Sequence, residues 1–305
     1  MKSSYCIKCV YPQKAVNLNV DKQNICSACR FHEKYESITD EKWNEKQNKL
    51  KEIIAKHKQN DFYDCIIPVS GGKDSYFQTH VIVKELGLNP LLVTYHGNNF
   101  LPEGDYNRDR MREVFNVDHI VVGPGIETLK KLNRSCFKIM GDMNWHAHCG
   151  IYTLPFQIAV KYKIPLLIYG ETWWDISGMF DTEDYAQFNR RMSIEFDLRG
   201  YEWFDLMKIA DEKLNSKELN LFKFPEDQEI LENEIKGICI GDFYKWQPNE
   251  NTIKMKELYG WKELEGSFQR TYRKFSNLDD RYENGIHDLL KFIKFGYGRA
   301  TDHAS

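Results

Sequence analysis

The sequence predicts an α/β fold: a doubly wound parallel sheet, preceded by a small cysteine-rich unit and followed by a mainly helical elaboration. Three observations carry this expectation. From about residue 62 onward, short apolar strand runs alternate with helical stretches. That rhythm needs crossover connections, which place parallel strands in one sheet with helices on both faces. Gly71 and Gly72 follow the first of those strands directly, where a helix must begin. Four cysteines crowd into the first 35 residues, where hydrophobic periodicity is weak.

Taken in order, residues 1–35 carry Cys6-x2-Cys9 and Cys26-x2-Cys29, separated by sixteen residues. This is zinc-ribbon spacing, in which two turns each offer two thiolates to one tetrahedral ion. So short a segment buries too little apolar surface to fold without such a brace. An iron–sulfur centre would use the same four ligands. Residues 36–60 read as a polar connecting helix with Trp43, Leu50 and Ile54 on one stripe. The core domain is expected over 61–200, with strands at Tyr63–Val69, Pro90–Tyr95, His119–Val122 and Pro165–Tyr169. Helices are expected at Asp74–Leu86 and Asp105–Phe115 between the first three strands, with further helical stretches before the fourth. Residues 201–305 read as a helical region that binds substrate or partner, and the last residues lack a helix stop signal. That predicts either a continuation of the native chain or an end ordered by a partner.

Composition narrows the function classes. The 305 residues hold 42 Lys+Arg against 45 Asp+Glu, a formal net charge of -3, so there is no bulk electrostatic reason to hold nucleic acid. No run approaches the roughly 18 apolar residues of a membrane span, and the first residues lack the apolar core of a signal peptide. A cytoplasmic protein is expected, and in that compartment its 8 cysteines point to metal binding or catalysis rather than disulfides.

The chemistry concentrates in Pro68-Val69-Ser70-Gly71-Gly72-Lys73-Asp74-Ser75, at a strand-to-helix junction. It is neither a Walker loop nor a G-x-G-x-x-G turn. Its mechanics are related, because two glycines admit an anion close to the backbone and the helix start aims N–H groups and a dipole at it. Ser70 and Ser75 can donate hydroxyl hydrogen bonds, and Lys73 can neutralise phosphate charge. Asp74 fits an anion site only as a ligand for Mg2+, which takes carboxylate and phosphate oxygens together. Further along, Asn144-Trp145-His146-Ala147-His148-Cys149-Gly150 reads as a loop before a helix, with His146, His148 and Cys149 as metal ligands or proton carriers, or as residues packed on the sheet. Glu171 follows the fourth strand, and Trp173 and Trp174 beside carboxylates suit a sugar ring. Near the end, His287, Lys291, Lys294 and Arg299 are candidates for a nucleotide-linked substrate.

The S-G-G-K-D-S string resembles the pyrophosphate loop of the ATP-pyrophosphatase (PP-loop) superfamily, which has an adenine nucleotide alpha hydrolase-like fold. That resemblance implies cleavage of ATP to AMP and pyrophosphate, with a carbonyl-type oxygen adenylylated on the way. It also implies that Thr94, Tyr95, His96 and Gly97, ending the second strand, face adenine or ribose, and that Gly170 and Glu171 close the site. Two C-x2-C pairs, P-V-S-G-G-K-D-S, then F-S-N-L-D-D-R-Y-E-N-G-I-H-D and K-F-G-Y-G-R-A-T-D-H-A, together resemble an N-acetyl sugar amidotransferase of lipopolysaccharide O-antigen and nonulosonic acid pathways. The likeness implies conversion of an acetamido group of a sugar, carried on a nucleotide, to an acetamidino group with ATP and Mg2+. Ammonia would come from a glutaminase subunit, with a cyclase-like subunit as a further partner. Two alternatives stand beside it: a PP-loop tRNA thiolase using Cys136, Cys149 or Cys239, and a subunit that binds nucleotide without turnover.

Overall fold

The computed structural model describes residues 5–13, 18–58, 62–170, 185, 187–188, 190, 193–268, 271–276 and 278–304. Its strands are β1 (Cys65–Pro68), β2 (Pro90–Tyr95), β3 (Asp118–Val122), β4 (Leu166–Tyr169), β5 (Gln187–Phe188) and β6 (Lys236–Cys239). They form one sheet in the order β3-β2-β1-β4-β6-β5, parallel throughout except for the β5 edge. The chain builds outward from β1 to β2 and β3, then returns to the other side of β1 with β4. Loops leaving β1 and β4 therefore diverge at their C-terminal ends, and this reversal opens the crevice where such sheets bind ligands.

Period-two alternation sorts the strand residues between two cores. Ile67, Leu92, Ile168 and Ile238 pack on one face with Tyr76 and Phe77 of α3 (Lys73–His80) and Phe115 of α4 (Pro102–Phe115). Leu50, Ile53 and Ile54 of α2 (Asp40–His57) join the same core. Ile66, Leu91, Val93 and Leu167 face the other way, onto Leu132 of α5 (Ile126–Met140) and Trp145 and Phe156 of α6 (Trp145–Tyr162). Local signals set the helix ends. Pro102 opens α4 and Asn116 closes it in the left-handed conformation, while Gly141 closes α5 at φ 61°.

Two expectations are corrected. The Asn144–Gly150 segment is not a loop: α6 begins at Trp145, so His146 and His148 sit in its first turn. Fully buried Trp145, whose Nε1 donates to the Tyr201 carbonyl at 2.9 Å, anchors that turn. The last third is not free of sheet, because Lys236–Cys239 enters between β4 and β5, from beyond the boundary expected at residue 200. Four residues carry too little pattern to announce a strand, and pairing with β4, including Lys236 N–H to the Pro165 carbonyl at 2.8 Å, decides it. Among the described residues no helix is long and apolar enough to cross a membrane.

Helices α1 (Ser27–Glu36), α7 (Trp203–Ile209), α8 (Asp227–Glu232), α9 (Pro248–Tyr259), α10 (Glu283–Phe295) and α11 (Arg299–Ala304) are the other α-helices among the described residues. After α9 the backbone doubles back over the glycine loop. Trp261 donates through Nε1 to the Gly71 carbonyl at 3.0 Å, and the Asn107 side chain brackets Lys262 through both its backbone groups. Leu101 and Arg281 N–H groups then bond the Leu278 and Asn99 carbonyls at 2.9 and 2.6 Å. This crossing needs Gly104, where a Cβ would lie 2.0 Å from the Leu278 carbonyl oxygen. Alanine favours a helix over glycine by about 1 kcal/mol, yet Gly104→Ala is expected to destabilise the protein by about 1–3 kcal/mol through that clash. Urea unfolding measures it, and an unchanged or raised midpoint would contradict the close approach.

Candidate active site and metal centre

Cys6, Cys9, Cys26 and Cys29 converge as the spacing requires, with their sulfur atoms all within 4.8 Å of one another. Backbone N–H groups point at the sulfurs: Lys8 and Cys26 at Cys6 Sγ (3.4 and 3.3 Å), and Cys29 at Cys26 Sγ (3.4 Å). Val10 (φ 56°) and Asn24 (φ 60°) take left-handed turns that bring the two knuckles together. Burial opposes ionisation of Cys6, but backbone donors from Cys9, Cys26 and Lys8 outweigh it and hold the thiol down at about 6. Four convergent thiols with N–H support fit a tetrahedral thiophilic ion held for structure, with no open position for chemistry. The unit rests against the opposite end of the chain, where Tyr11 donates to Asp302 at 2.6 Å and meets the Tyr297 ring edge-on at 5.3 Å.

At the end of β1, Val69 N–H still bonds the Val93 carbonyl at 2.9 Å before the backbone turns. Gly71 makes the turn at φ 84°, where a Cβ would lie 2.6 Å from the Arg108 Cα and N atoms. The Ser75 hydroxyl accepts from Ser70 N–H at 3.0 Å and the Ser70 hydroxyl from Gly72 N–H at 3.3 Å. Gly72 is the N-cap of α3 and offers no side chain, so the first-turn N–H groups and the positive end of the helix dipole stay open to an anion. Lys73 pairs with Asp74 and lies 5.6 Å over the Phe275 ring. Asp74 keeps its second carboxylate oxygen, Oδ1, buried without a hydrogen bond.

A cavity of about 460 Å³ opens from this loop along the crevice between β1 and β4. Of the residues nominated from sequence, Ser70, Asp74, Ser75, His148 and Gly170 line it. Tyr95, placed at the nucleotide by the resemblance, lines it too, and so do Asn98, Asn144, Tyr152, Tyr169 and Asp279, none of these five nominated. The signal for the missed residues lay in position rather than motif: Tyr169 is the last residue of β4, and Asn144 directly precedes α6. Asn98 Oδ1, Asn144 Oδ1 and the Tyr169 hydroxyl, like Asp74 Oδ1, are buried with no hydrogen-bond partner among the described residues. Asp279 arrives on the returning segment, and burial pushes its carboxyl up. The arrangement can hold a polyanion at the loop end and hydroxyl or amino groups at the carboxamide and aromatic end.

Other nominated residues sit one layer away. Thr94 is fully buried, its hydroxyl donating to the Val69 carbonyl at 2.6 Å and meeting His119 Nε2 at 2.8 Å. His96 Nδ1 accepts from the Arg108 guanidinium at 3.3 Å. Gly97 and Gly150 flank the Tyr95 ring, which a Cβ on either would strike at 2.5 or 2.3 Å. His146 is wholly buried between the Tyr95 hydroxyl (3.1 Å to Nδ1) and Glu283 (3.2 Å to Nε2). His287 faces Asp142 at 3.5 Å, and Lys294 donates to the Gly141 carbonyl at 2.9 Å. Lys291 pairs with Asp302, and Arg299 with Asp288 at 3.2 Å. Glu171, Trp173 and Trp174 lie outside the described residues. Cys136, Cys149 and Cys239 are buried, and burial pushes the first two thiols up, Cys136 to about 12.

No protein-family model matches the chain, and no curated protein does. Similar solved structures include the tRNA thiolase NcsA of Methanococcus maripaludis, at 13% identity and TM-score 0.36 over 100% of this chain and 86% of that one. The NH3-dependent NAD synthetase of Campylobacter jejuni follows at 13% and 0.35, covering 63% of this chain and 92% of that one. An NMN synthetase from Francisella tularensis has 14% and 0.34, over 74% and 98%. Likenesses this distant do not bear on substrate or reaction.

Burial holds the His148 imidazole down at about 4, against 6.5 for the free group. Between those values the unfolded chain takes up a proton that the folded chain refuses, so stability falls as pH drops from about 6.5 to about 4. His148→Gln removes that titration and is expected to flatten the fall by on the order of 2 kcal/mol. Denaturant unfolding of both proteins between pH 4 and 7 measures the difference, and parallel profiles would contradict it.

Proposed function

We propose that the chain is an ATP-dependent amidotransferase that converts an acetamido group of a nucleotide-linked sugar into an acetamidino group, releasing AMP and pyrophosphate. One observation carries the reading. A glycine loop with an uncapped helix start opens into a cavity whose far wall presents aromatic rings and unsatisfied carboxamide and hydroxyl groups. The loop end suits a triphosphate, and the far wall suits a ligand rich in hydroxyl and N–H groups.

The chemistry assigns roles. An amide carbonyl is a poor electrophile and its oxygen a poor leaving group. Its oxygen would attack the α-phosphorus of ATP, the bond to the β-phosphate would break, and pyrophosphate would leave into the loop amides and Lys73. Ammonia would then attack the imidate carbon, and the carbon–oxygen bond would break with its electron pair going to AMP. Asp74, with an unshared carboxylate oxygen at the loop, would hold Mg2+, which supplies charge neutralisation on the phosphates. An entering ammonium ion must shed one proton to become a nucleophile. The hydrogen-bonded series Tyr95–His146–Glu283 runs from the cavity wall into the protein and would take it. His148, held neutral by burial, would accept a hydrogen bond from the ammonia or sugar N–H. Glu171, Trp173 and Trp174 remain candidates for the sugar end on sequence grounds. On this reading the four-cysteine unit holds zinc, and a glutaminase subunit, with or without a cyclase-like one, delivers ammonia.

Incubation with ATP, Mg2+, an ammonium salt and a panel of nucleotide-linked acetamido sugars tests the proposal by mass spectrometry. The expected product has an oxygen replaced by NH, with AMP and pyrophosphate formed in equal amount. AMP without a modified sugar would remove the sugar assignment and leave the adenylylation. Lys73→Ala is expected to cut AMP formation by at least about a hundredfold with zinc content unchanged, and wild-type AMP output from that variant would refute the loop assignment.

A further inference from the structure

Helix α10 is turned inside out. Its charged side chains are committed to the body of the protein. Glu283 accepts from Asn133 at 2.8 Å and meets His146, while His287 faces Asp142. Asp288 binds Arg299, Lys291 binds Asp302, and Lys294 binds the carbonyls that end α5. Most of the apolar side chains face outward instead, Leu290 being the partly buried one. Tyr282, Ile286, Leu289 and Ile293 form a stripe at helical spacing, with Phe292 beside it, and Leu289, Phe292 and Ile293 are 57%, 57% and 68% exposed. A surface helix ordinarily buries its apolar stripe and leaves its charges in water. The reverse arrangement forfeits most of the helix's hydrophobic stabilisation unless something covers it.

The patch extends past the helix end. Phe295 contacts the Tyr297 ring at 6.2 Å, Tyr297 meets Tyr11, and the cysteine unit that carries Tyr11 exposes Ile7 and Val10 at 63% and 67%. The α10 stripe with Phe292 exposes roughly 600 Å², of the order of the ~800 Å² that one partner buries in a standard interface. We propose that this face joins two copies of the chain across a two-fold axis passing near Leu289 and Ile293. The stripe contains no charge, so two copies meet without repulsion and an unlike partner finds no charge pattern to read. Membrane adsorption requires a basic face free for headgroups, whereas Lys291 and Lys294 are both engaged within the chain. An uncharged stripe on a 13-residue helix packs antiparallel against its own copy, ridge into groove.

Sedimentation velocity on the full chain between about 1 and 50 μM, concentrations that resolve a micromolar dimer, is expected to show a species of twice the 36.1 kDa chain mass. Leu289→Glu with Ile293→Glu is expected to raise the dimer dissociation constant at least about a hundredfold with an unchanged circular dichroism spectrum. Should the double variant not fold, Leu289→Ser adds no charge and is expected to weaken the dimer by about tenfold. In a third arm, Leu289→Cys is expected to form a covalent dimer on mild oxidation, because the side chain meets its own copy near the axis. A monomeric wild type, a dimer indifferent to these substitutions, or a wild-type monomer that binds phosphatidylcholine–phosphatidylglycerol vesicles instead would each overturn the proposal. None of these readouts depends on the enzymatic reading.

Discussion

No side chain fits at residue 71. The backbone there is left-handed, and the place a Cβ would take is filled by the Arg108 backbone of α4. That contact fixes where the loop lies, and the rest of the crevice is built from it. Because α4 is seated against the loop, Asn107 stands where it can bracket Lys262, and Gly104 where Leu278 can cross it. Trp261 completes the circuit by donating to the Gly71 carbonyl itself. The loop gains its rigidity from these contacts rather than from its own short sequence.

The electrostatics of the cavity are mixed in a way that constrains its occupant. Uncapped N–H groups and Lys73 favour an anion, yet Asp74 and Asp279 line the same space. A polyphosphate placed there meets two acids, and that combination is favourable only with a cation between them, or with a carboxyl protonated. Burial raises the Asp279 carboxyl and so eases the second route, while the unshared oxygen of Asp74 suits the first. At the other end, Tyr95 keeps its ring between two glycines and its hydroxyl on His146, so the wall is shaped by residues that contribute no side chain at all.

Residues near the chain end that read as substrate ligands have clear mechanical roles. His287 and Lys294 tie α10 to the turn between α5 and α6, through Asp142 and through the Gly141 carbonyl. Asp142 also accepts from Asn144 N–H at 2.8 Å and pairs with Arg199. The turn that presents Asn144 and His148 to the cavity is thereby gripped from two sides. Lys291 and Arg299 hold α11, and α11 holds the cysteine unit through Tyr11. The first and last parts of the chain, 291 residues apart at that hydrogen bond, are one mechanical unit.

Much of the molecule follows from sequence by itself, for one physical reason: those features are local. The cysteine knuckles, the Gly71–Gly72 turn, the connecting helix and strands β1 to β4 each rest on spacing or periodicity within a few turns of chain. What tertiary structure decided is what those local rules do not see. Strand β6 exists because β4 leaves an edge open, and not because Lys236–Cys239 carries a strand pattern. His146 leaves the cavity because α6 starts at Trp145, and of Thr94, Tyr95, His96 and Gly97 only Tyr95 lines it, where two glycines let its ring lie between β2 and α6. Asp279 reaches the site across 205 residues from Asp74 because the chain crosses α4 at its one residue without a side chain, Gly104. The charges of α10 face inward because partners arrive from α5, α6 and α11, whose positions no stretch of α10 encodes.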